Sequence, residues 1–418
     1  MLLKPKHFMR IAVRFLALTL LLSGRLSAQT LPPVVTGWIL NPGGQTGYGG
    51  LVTNVTRVAY SATQVYVQCN SVPSYPIGPW PANPNTPVAM GFTFKIPRTP
   101  QANTGTAVAT GLGHTGVFSN GVSLFNAQDA RSYRNQNIWH QDAYYFERTS
   151  FDSCLGHPAP GGEYHHHIAP NCLVNLSDSS RHSPLVGYAF DGFPIYGPFA
   201  YANTNGTGGI VRMRSGYAAR AITQRTTLPN GTTLPQNQYG PAVSANYPLG
   251  AYVEDYAFSA TAGTLDKHNG RFCVTPEYPA GTYAYFMTVA SNGTPQYPYV
   301  LGPTYYGTVP PGNTGPQGGR NPITEPVTEY RPATALPGFK PTLSCAPNPT
   351  TGRLALRWNG PARLTGTLTD ALGRPAMPSV VVEPSQWLSL DLSPLAQGLY
   401  HLSLTDGATV YRYPVVRE

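Results

Sequence analysis

Four of the ten histidines in this 418-residue chain fall within residues 156–167. If this segment is a β-strand, successive side chains alternate between faces, so His165 and His167 share one face and His166 takes the other. Two imidazoles at positions i and i+2 can bind one metal ion, and a Pro/Gly turn can fold His157 back as a third ligand. Three histidines with no acidic ligand suit copper or zinc. The alternative is that they pack around a tight turn and bond to backbone carbonyls.

The first 28 residues have the layout of a secretory signal peptide. Basic residues precede the apolar run 15–22, and small residues lead to Ala28, after which cleavage is expected. The run is too short to cross a bilayer, which takes about 20 apolar residues, so no membrane-spanning segment is expected in the mature protein. The five basic residues of the leader reduce the formal net charge of +9 to +4 when it is removed. The remainder has no basic block, so no nucleic-acid partner is expected.

The cysteines bear on how the histidine cluster is held. All five lie outside the leader, and four fall in the large middle region. Export places them in an oxidising compartment, where an even set favours disulfides. Cys154 and Cys172 flank the cluster and are the favoured pair, which leaves the pairing of Cys69 and Cys273 open. The alternative is a thiolate metal ligand, although the spacing is not of the C-x-x-C type.

Four further residues are candidates for the surroundings of the site: Tyr164, His182, Asp191 and His268. Asp191 could orient a ligating histidine through its other ring nitrogen, or it could cap an Asp-Gly turn. His182 is either a ligand or a loop residue. His268 lies in the polar stretch 266–271, which could line the same site, bind an acidic or sugar ligand, or form an Asn-Gly hairpin turn.

The elements that must position these residues are predicted to be mainly strands. Only 11% of the residues are charged, which leaves little Glu and Lys for solvent-facing helices, and the 27 Tyr exceed the 15 Phe. Aromatic side chains fit the half-buried surface of a sheet. Residues 131–148 lack Gly and Pro and could form a short helix. The tyrosines between 252 and 306 predict core packing or, alternatively, a platform on which carbohydrate stacks.

Composition divides the chain into four segments. The signal peptide (1–28) is followed by a β-rich region (29–306) whose core is about 60–306. Residues 307–342 are aperiodic and rich in Pro, Gly and Thr, which predicts an exposed linker. In residues 343–418, short strands separated by turn signals predict a small Ig-like β-sandwich. The expected fold class is therefore mainly β.

The C-terminal segment contains an ordered set of short motifs: Ala346-Pro-Asn-Pro-Thr-Thr-Gly352, Asp370-Ala-Leu-Gly-Arg374, Asp391-Leu-Ser-Pro-Leu-Ala-Gln-Gly-Leu-Tyr400 and Val415-Val-Arg-Glu418. In this order and spacing they resemble the type A C-terminal sorting domain of the bacterial type IX secretion system. The resemblance implies the type IX secretion machinery as a partner and passage through the outer membrane, usually with removal of the domain. The alternative is an ordinary β-sandwich binding module.

The histidine cluster belongs to a longer series of motifs: Asp152-Ser-Cys-Leu-Gly-His-Pro158, Gly162-Glu-Tyr-His-His-His167 and the segments 185–198, 265–272, 275–286 and 297–302. Together these resemble the YHYH domain family over roughly residues 60–306. One departure is His166, which occupies the third position of the name-giving motif in place of Tyr. The resemblance implies a secreted bacterial domain, whereas metal binding is inferred from the residue types.

These observations predict a protein exported through the periplasm, secreted or held at the cell surface, that binds copper or zinc through His157, His165 and His167. The rival hypothesis is a non-enzymatic binding or structural protein with a Tyr-rich face for glycans or other cell-surface material. The sequence contains no G-x-S-x-G elbow, no H-E-x-x-H and no phosphate-binding glycine loop. The residue types leave open whether a metal site would be catalytic.

Overall fold

A computed structural model of the chain describes residues 31–315, 318–332, 343–360, 363–384, 386–406 and 410–418. The predicted signal peptide lies outside these residues. The chain divides into two compact units, Met1–Thr328 and Glu329–Glu418. Within the described ranges there are two short α-helices, α1 (Pro33–Thr36) and α2 (Ala143–Glu147), and no helix is long and apolar enough to cross a membrane. The prediction of a mainly β protein is confirmed.

The first unit is built from many short strands: β1 (Val55–Tyr60), β2 (Gln64–Cys69), β3 (Phe92–Pro97), β4 (His114–Phe118), β5 (Ser123–Phe125), β6 (Gln128–Ser132), β7 (His140–Asp142), β8 (His157–Pro158), β9 (Tyr164–His166), β10 (Leu185–Ala189), β11 (Pro194–Tyr196), β12 (Phe199–Tyr201), β13 (Ile210–Arg212), β14 (Tyr217–Ala219), β15 (Tyr256–Phe258), β16 (Gly270–Cys273), β17 (Thr282–Phe286) and β18 (Thr328–Glu329). Short 3-10 helices occur between them at Tyr48–Gly50, Tyr133–Asn135, Arg148–Ser150, Gln236–Gln238 and Val253–Asp255.

One mixed sheet of eight strands positions the histidine cluster. Its order is β16-β17-β11-β10-β4-β5-β9-β8, so the two strands of the cluster, β8 and β9, lie at one edge. A second sheet has the order β18-β1-β2-β3, and three strand pairs, β6-β7, β12-β13 and β14-β15, complete the sheets of this unit. Strand β9 pairs in parallel with β5, which places His165 opposite Ser123.

The tyrosine series packs mainly in the core. All five residues of β17 are buried, including Tyr283 and Tyr285 on the same face. Tyr252, Tyr297 and Tyr305 are buried as well. A strand with neighbours on both sides and cover on both faces has no side chain free to face solvent. The expected Tyr-rich face is therefore not formed by this series, and the core-packing alternative describes it.

The predicted helix over residues 131–148 is wrong for most of its length. Strand β6 runs to Ser132 and pairs with β7, and only Ala143–Glu147 is α-helical. The aromatic residues of this segment lack helical spacing, and tertiary contacts decide their conformation. Trp139, for example, is buried in a cluster with Tyr252.

The predicted linker is also wrong in its first part, because the described residues between 307 and Thr328 belong to the first unit. Asn313 is fully buried, and its side chain donates to the carbonyl of Lys95 (2.6 Å) and accepts from the Lys95 amide (2.9 Å). Strand β3 is an edge strand, so its outward amides and carbonyls need partners. The Asn313 side chain supplies a donor and an acceptor to this edge, a role that amino-acid composition alone does not reveal.

In the part of the second unit that the structure describes there are seven strands: β19 (Leu343–Ala346), β20 (Arg353–Trp358), β21 (Leu364–Asp370), β22 (Pro375–Val382), β23 (Trp387–Asp391), β24 (Gly398–Thr405) and β25 (Val410–Arg417). They form sheets in the order β19-β20-β23 and β22-β21-β24-β25. Side chains from both sheets share one core, including Leu356, Leu368 and Leu402. Alternation along β20 buries Leu354, Leu356 and Trp358, and the predicted small β-sandwich is confirmed.

Candidate metal centre

A tight hairpin brings the first and second histidines of the cluster together. Strands β8 and β9 pair antiparallel with His157 directly opposite His165. The turn between them contains Gly161 and Gly162 with φ of +94° and +88°, a region that glycine enters without steric cost. A Cβ at Gly162 would also lie 2.7 Å from Val88. The Pro/Gly turn therefore folds His157 back toward His165, as the sequence predicted.

His157, His165 and His167 each offer one ring nitrogen, and these atoms all lie within 4.8 Å of one another. All three residues are buried. The Nε2 atoms of His165 and His167 are only 3.1 Å apart, and Nε2 of His157 has no hydrogen-bond partner among the described residues.

The opposite nitrogen of each ring is held by a separate anchor. Nδ1 of His165 lies 3.0 Å from the Glu163 carbonyl, and Nδ1 of His167 lies 2.6 Å from the Asn126 carbonyl. Nδ1 of His157 lies 2.7 Å from Ser150 Oγ, and that hydroxyl donates to the Glu147 carbonyl. Carbonyl oxygens only accept hydrogen bonds. Each Nδ1 therefore carries a proton, and in the neutral rings each Nε2 presents a lone pair.

Glu147, at the end of α2, is the residue that sequence reasoning missed. Its Oε2 lies 3.1 Å from Nε2 of His167 and 3.8 Å from Nε2 of His157. Asp142 caps the start of α2, because its side chain accepts from the Tyr145 amide. The expectation of three histidines without an acidic neighbour is therefore corrected. Glu147 lies ten residues before His157, and no sequence motif connects the two. The only local indication was that Glu147 lies near the end of residues 131–148, which lack Gly and Pro and could form a helix.

The electrostatics differ between the three rings. Burial and then the neighbouring His167 lower the pKa of His157 to about 3, and burial and His157 lower the pKa of His165 well below its usual value. Burial also acts to lower the pKa of His167, but the contact with Glu147 outweighs it and the net pKa is raised. Burial acts to raise the pKa of Glu147, and His167 outweighs that effect and lowers it. Two of the rings therefore remain neutral near pH 7.

Aromatic rings and an open cleft define the access to the cluster. Phe125 stacks on His165 with ring centroids 3.8 Å apart, and Phe151 lies edge-on to His157 at 4.8 Å. In front of the histidines lies a cleft of about 730 Å³. Its walls carry mainly neutral polar and apolar side chains with one acid and one base beyond Glu147, among them Asn83, Asn85, Leu112, Gln128, Asp129, Arg131, Gln141 and Phe146.

His166 points away from the cleft, as the alternation of a strand predicts. Its Nδ1 lies 2.9 Å from the Leu155 carbonyl, and its Nε2 lies 3.3 Å from the Tyr75 hydroxyl. The ring packs against Phe118 and Tyr164 and is completely buried. Both ring nitrogens are therefore satisfied within the protein.

The disulfide between Cys154 and Cys172 is confirmed. It lies on the His166 side, because Leu155, the neighbour of Cys154, accepts from His166. Cys69 and Cys273 are free buried thiols and are not joined to each other. Burial raises the pKa of Cys69 to about 12, which keeps it a protonated thiol.

The four other predicted site residues lie away from the cleft. Tyr164 donates to Asp152 on the His166 side of β9. Asp191 accepts from the Tyr285 hydroxyl (2.6 Å) and the Gly307 amide (2.8 Å), so it ties two backbone segments together and does not orient a ligand. His182 packs against Tyr196 with Nδ1 near the Ser183 carbonyl, and His268 lines a different cleft. Their assignment to the metal site is therefore corrected, because local spacing does not show which sheet face a distant loop reaches.

Comparison with known families agrees with this division of the chain. Residues 93–298 match the family model described as YHYH protein, and residues 344–416 match the model described as secretion system C-terminal sorting domain. No curated protein and no solved structure matches the chain significantly. The chain therefore contains a YHYH domain, and its C-terminal sorting domain indicates export by the type IX secretion machinery, either to the cell surface or into the medium.

Proposed function

We propose that this protein binds one transition metal ion, copper or zinc, through Nε2 of His157, His165 and His167. The observation that carries the proposal is the 3.1 Å separation of Nε2 of His165 and Nε2 of His167. Both Nδ1 atoms face carbonyl oxygens, so both Nε2 atoms present lone pairs in the neutral rings. Two lone pairs at this distance repel each other unless a cation lies between the rings or one ring takes up a second proton.

The residues fit a metal ion in four further respects. Imidazole suits copper and zinc, and hydrogen bonds from Nδ1 to carbonyl oxygens are the usual way in which proteins orient a ligating ring. Glu147 is close enough to His157 and His167 to serve as a fourth ligand or to balance the charge of the ion. The cleft leaves one side of the cluster open to small molecules. A bound ion would supply a Lewis acid or, if it is copper, a one-electron redox centre.

The alternative is a proton in place of the metal, with His167 as an imidazolium paired with Glu147. The raised pKa of His167 favours this pair in the metal-free protein. The two states are distinguishable because only one binds metal stoichiometrically. The purified full chain, incubated with copper and with zinc and then desalted, is expected to retain about one ion per chain by elemental mass spectrometry. A chain that stays metal-free after both incubations contradicts the proposal.

We also propose that the mature secreted form lacks residues 1–28 and about 343–418. The layout of the leader and the sorting domain support this processing. Intact mass measurement on protein from the culture medium tests it. Retention of Arg417 and Glu418 in that protein would contradict the second cut.

A further inference from the structure

A second cleft, of about 600 Å³, opens beside the edge strand β16. The polar stretch 266–271 supplies most of its polar lining, and Phe258, Phe272 and Tyr306 supply its rings. None of the described residues that line it belongs to the histidine cluster. The stretch that sequence analysis associated with the metal site or with an acidic or sugar ligand therefore forms a site of its own.

Two aromatic rings of this cleft face solvent. Phe272 is 62% exposed and Phe258 is 37% exposed. Each ring rests on a glycine: a Cβ at Gly281 would lie 2.9 Å from Phe272, and a Cβ at Gly216 would lie 2.5 Å from Phe258. The missing side chains let both rings lie close to the backbone. The cleft thus has two fixed apolar surfaces that remain hydrated in the free protein, which is an unfavourable arrangement unless a ligand covers them.

The cleft also carries one exposed positive side chain. Lys267 is exposed and forms no ion pair with a carboxylate among the described residues. Arg271 does not add to it, because side chains alternate along β16. Its guanidinium lies on the face opposite Phe272, where it donates to the carbonyl oxygens of Tyr201 and Ala202 and lies over the Phe286 ring.

The one acid of the cleft, Asp266, is already engaged within the protein. It accepts from the Tyr283 hydroxyl (2.8 Å) and from the amides of His268 (2.9 Å) and Gly270 (3.2 Å). These donors hold the carboxylate against the turn. It forms no ion pair with Lys267 among the described residues, so the ammonium group of Lys267 remains available to a ligand.

The backbone of the turn is fixed from outside as well. The Tyr217 hydroxyl donates to the Lys267 carbonyl (2.8 Å), and the Gly302 amide donates to the His268 carbonyl (2.9 Å). Nδ1 of His268 lies 2.9 Å from the Thr304 carbonyl, which orients the ring. A site that needs little ordering on binding loses little entropy to its ligand.

We propose that this cleft binds an acidic saccharide, a sugar chain that carries carboxylate groups. The apolar faces of sugar rings cover the exposed faces of Phe272 and Phe258, while Lys267 binds a carboxylate. Charge complementarity selects the acidic sugar over a neutral one. The exposed rings select a sugar over a small inorganic anion, which has no apolar face. The proposal is independent of the metal centre.

Calorimetric titration of the full chain with a hexamer of galacturonic acid tests the proposal. Binding is expected, with an affinity that falls as salt is added, because exposed charges are screened. A neutral glucose hexamer and a thymidine hexanucleotide serve as comparison ligands and are expected to bind at least about tenfold more weakly. No binding of the galacturonate, equal binding of the neutral hexamer, or tighter binding of the oligonucleotide would each overturn the proposal.

Variants show whether binding occurs in this cleft. Phe272→Ala and Lys267→Gln are each expected to lower the galacturonate affinity about tenfold, which corresponds to about 1.4 kcal/mol, while Phe272→Tyr keeps the ring and the affinity. Trp387→Ala is a matched control, because Trp387 is also 62% exposed but lies in the second unit. His165→Ala is expected to leave saccharide binding unchanged. An equal loss in Trp387→Ala, or unchanged binding in Phe272→Ala, would place the saccharide elsewhere and overturn the assignment.

Discussion

The two faces of strand β9 present histidines in opposite states. On the His166 side, both ring nitrogens have partners, and the ring is enclosed by aromatic side chains. On the other side, His165 and His167 have one anchored nitrogen each and turn the other toward a shared space at the base of a cleft. Burial is nearly the same on both faces, so burial does not distinguish them. The difference lies in which nitrogens remain unsatisfied, and we infer that satisfied rings hold the structure while unsatisfied rings bind a ligand.

If substitutions on the two faces of β9 have the same effect, the distinction between the faces fails. The largest expected effect is the loss of the bound metal ion. His165→Ala and His167→Ala are each expected to abolish retention of one copper or zinc ion, since two imidazoles remain of three. His166→Ala is expected to retain the ion. Elemental mass spectrometry on the three variants, each first checked for folding by circular dichroism, measures this. Metal loss in His166→Ala, or metal retention in His165→Ala, would break the comparison.

Removal of the disulfide separates stability from metal binding. The double variant Cys154→Ser, Cys172→Ser opens a bridge between residues 18 apart, which is expected to lower the free energy of unfolding by about 3 kcal/mol. The metal is expected to remain, because the pairing of β8 with β9 holds His157 opposite His165 without the bridge. Denaturant unfolding measures the free energy of unfolding, and elemental mass spectrometry measures the bound metal. Cys345→Ser, which removes a free thiol in the second unit, is the control.

His166→Ala tests the structural face directly. The change removes the His166 hydrogen bonds to the Leu155 carbonyl and the Tyr75 hydroxyl and opens a cavity beside Phe118. The expected loss is about 2 kcal/mol of unfolding free energy. The metal-free His165→Ala variant is expected to lose less, because the only hydrogen bond of the His165 ring to a described residue outside the cluster is that of Nδ1 to the Glu163 carbonyl. Both free energies of unfolding are measured by denaturant titration of the metal-free variants. Equal losses would contradict the distinction between the two faces of β9.

Glu147→Gln gives the smallest effect and one with a defined pH dependence. In the wild type, metal and proton compete for His167, so metal occupancy is expected to fall as the pH drops through the raised pKa of His167, above 6.5. Removing the charge of Glu147 lowers the pKa of His167. The variant is therefore expected to keep its metal to lower pH, although its affinity at pH 8 falls about tenfold because an anionic neighbour is lost. Competition titrations with a chelator at several pH values measure both, and an unchanged pH profile would exclude Glu147 from the site.

The sequence was sufficient wherever a short-range period or turn determined the outcome. Alternation along a strand places His165 and His167 on one face and His166 on the other, and the same rule orders the core residues of β20. Gly161 and Gly162 mark the turn that returns His157 to the cluster. The sequence also allowed three other features to be predicted: the pairing of Cys154 with Cys172, the small β-sandwich and the sorting domain. Each of them depends on residues that are close together in the chain.

Only the tertiary structure decided which distant residues complete each site. Glu147 and Ser150 come from α2 and the turn after it, and the carbonyl of Asn126 comes from the end of β5, which pairs in parallel with β9. A different pairing of distant strands, β11 with β17, brings Asp191, which precedes β11, to Tyr285 instead of to a histidine. Side-chain period fixes the face on which a residue lies, whereas the partner across a sheet depends on pairing between strands that are far apart in the chain. No local pattern encodes that pairing, so the acid beside the histidines became visible only in the folded protein.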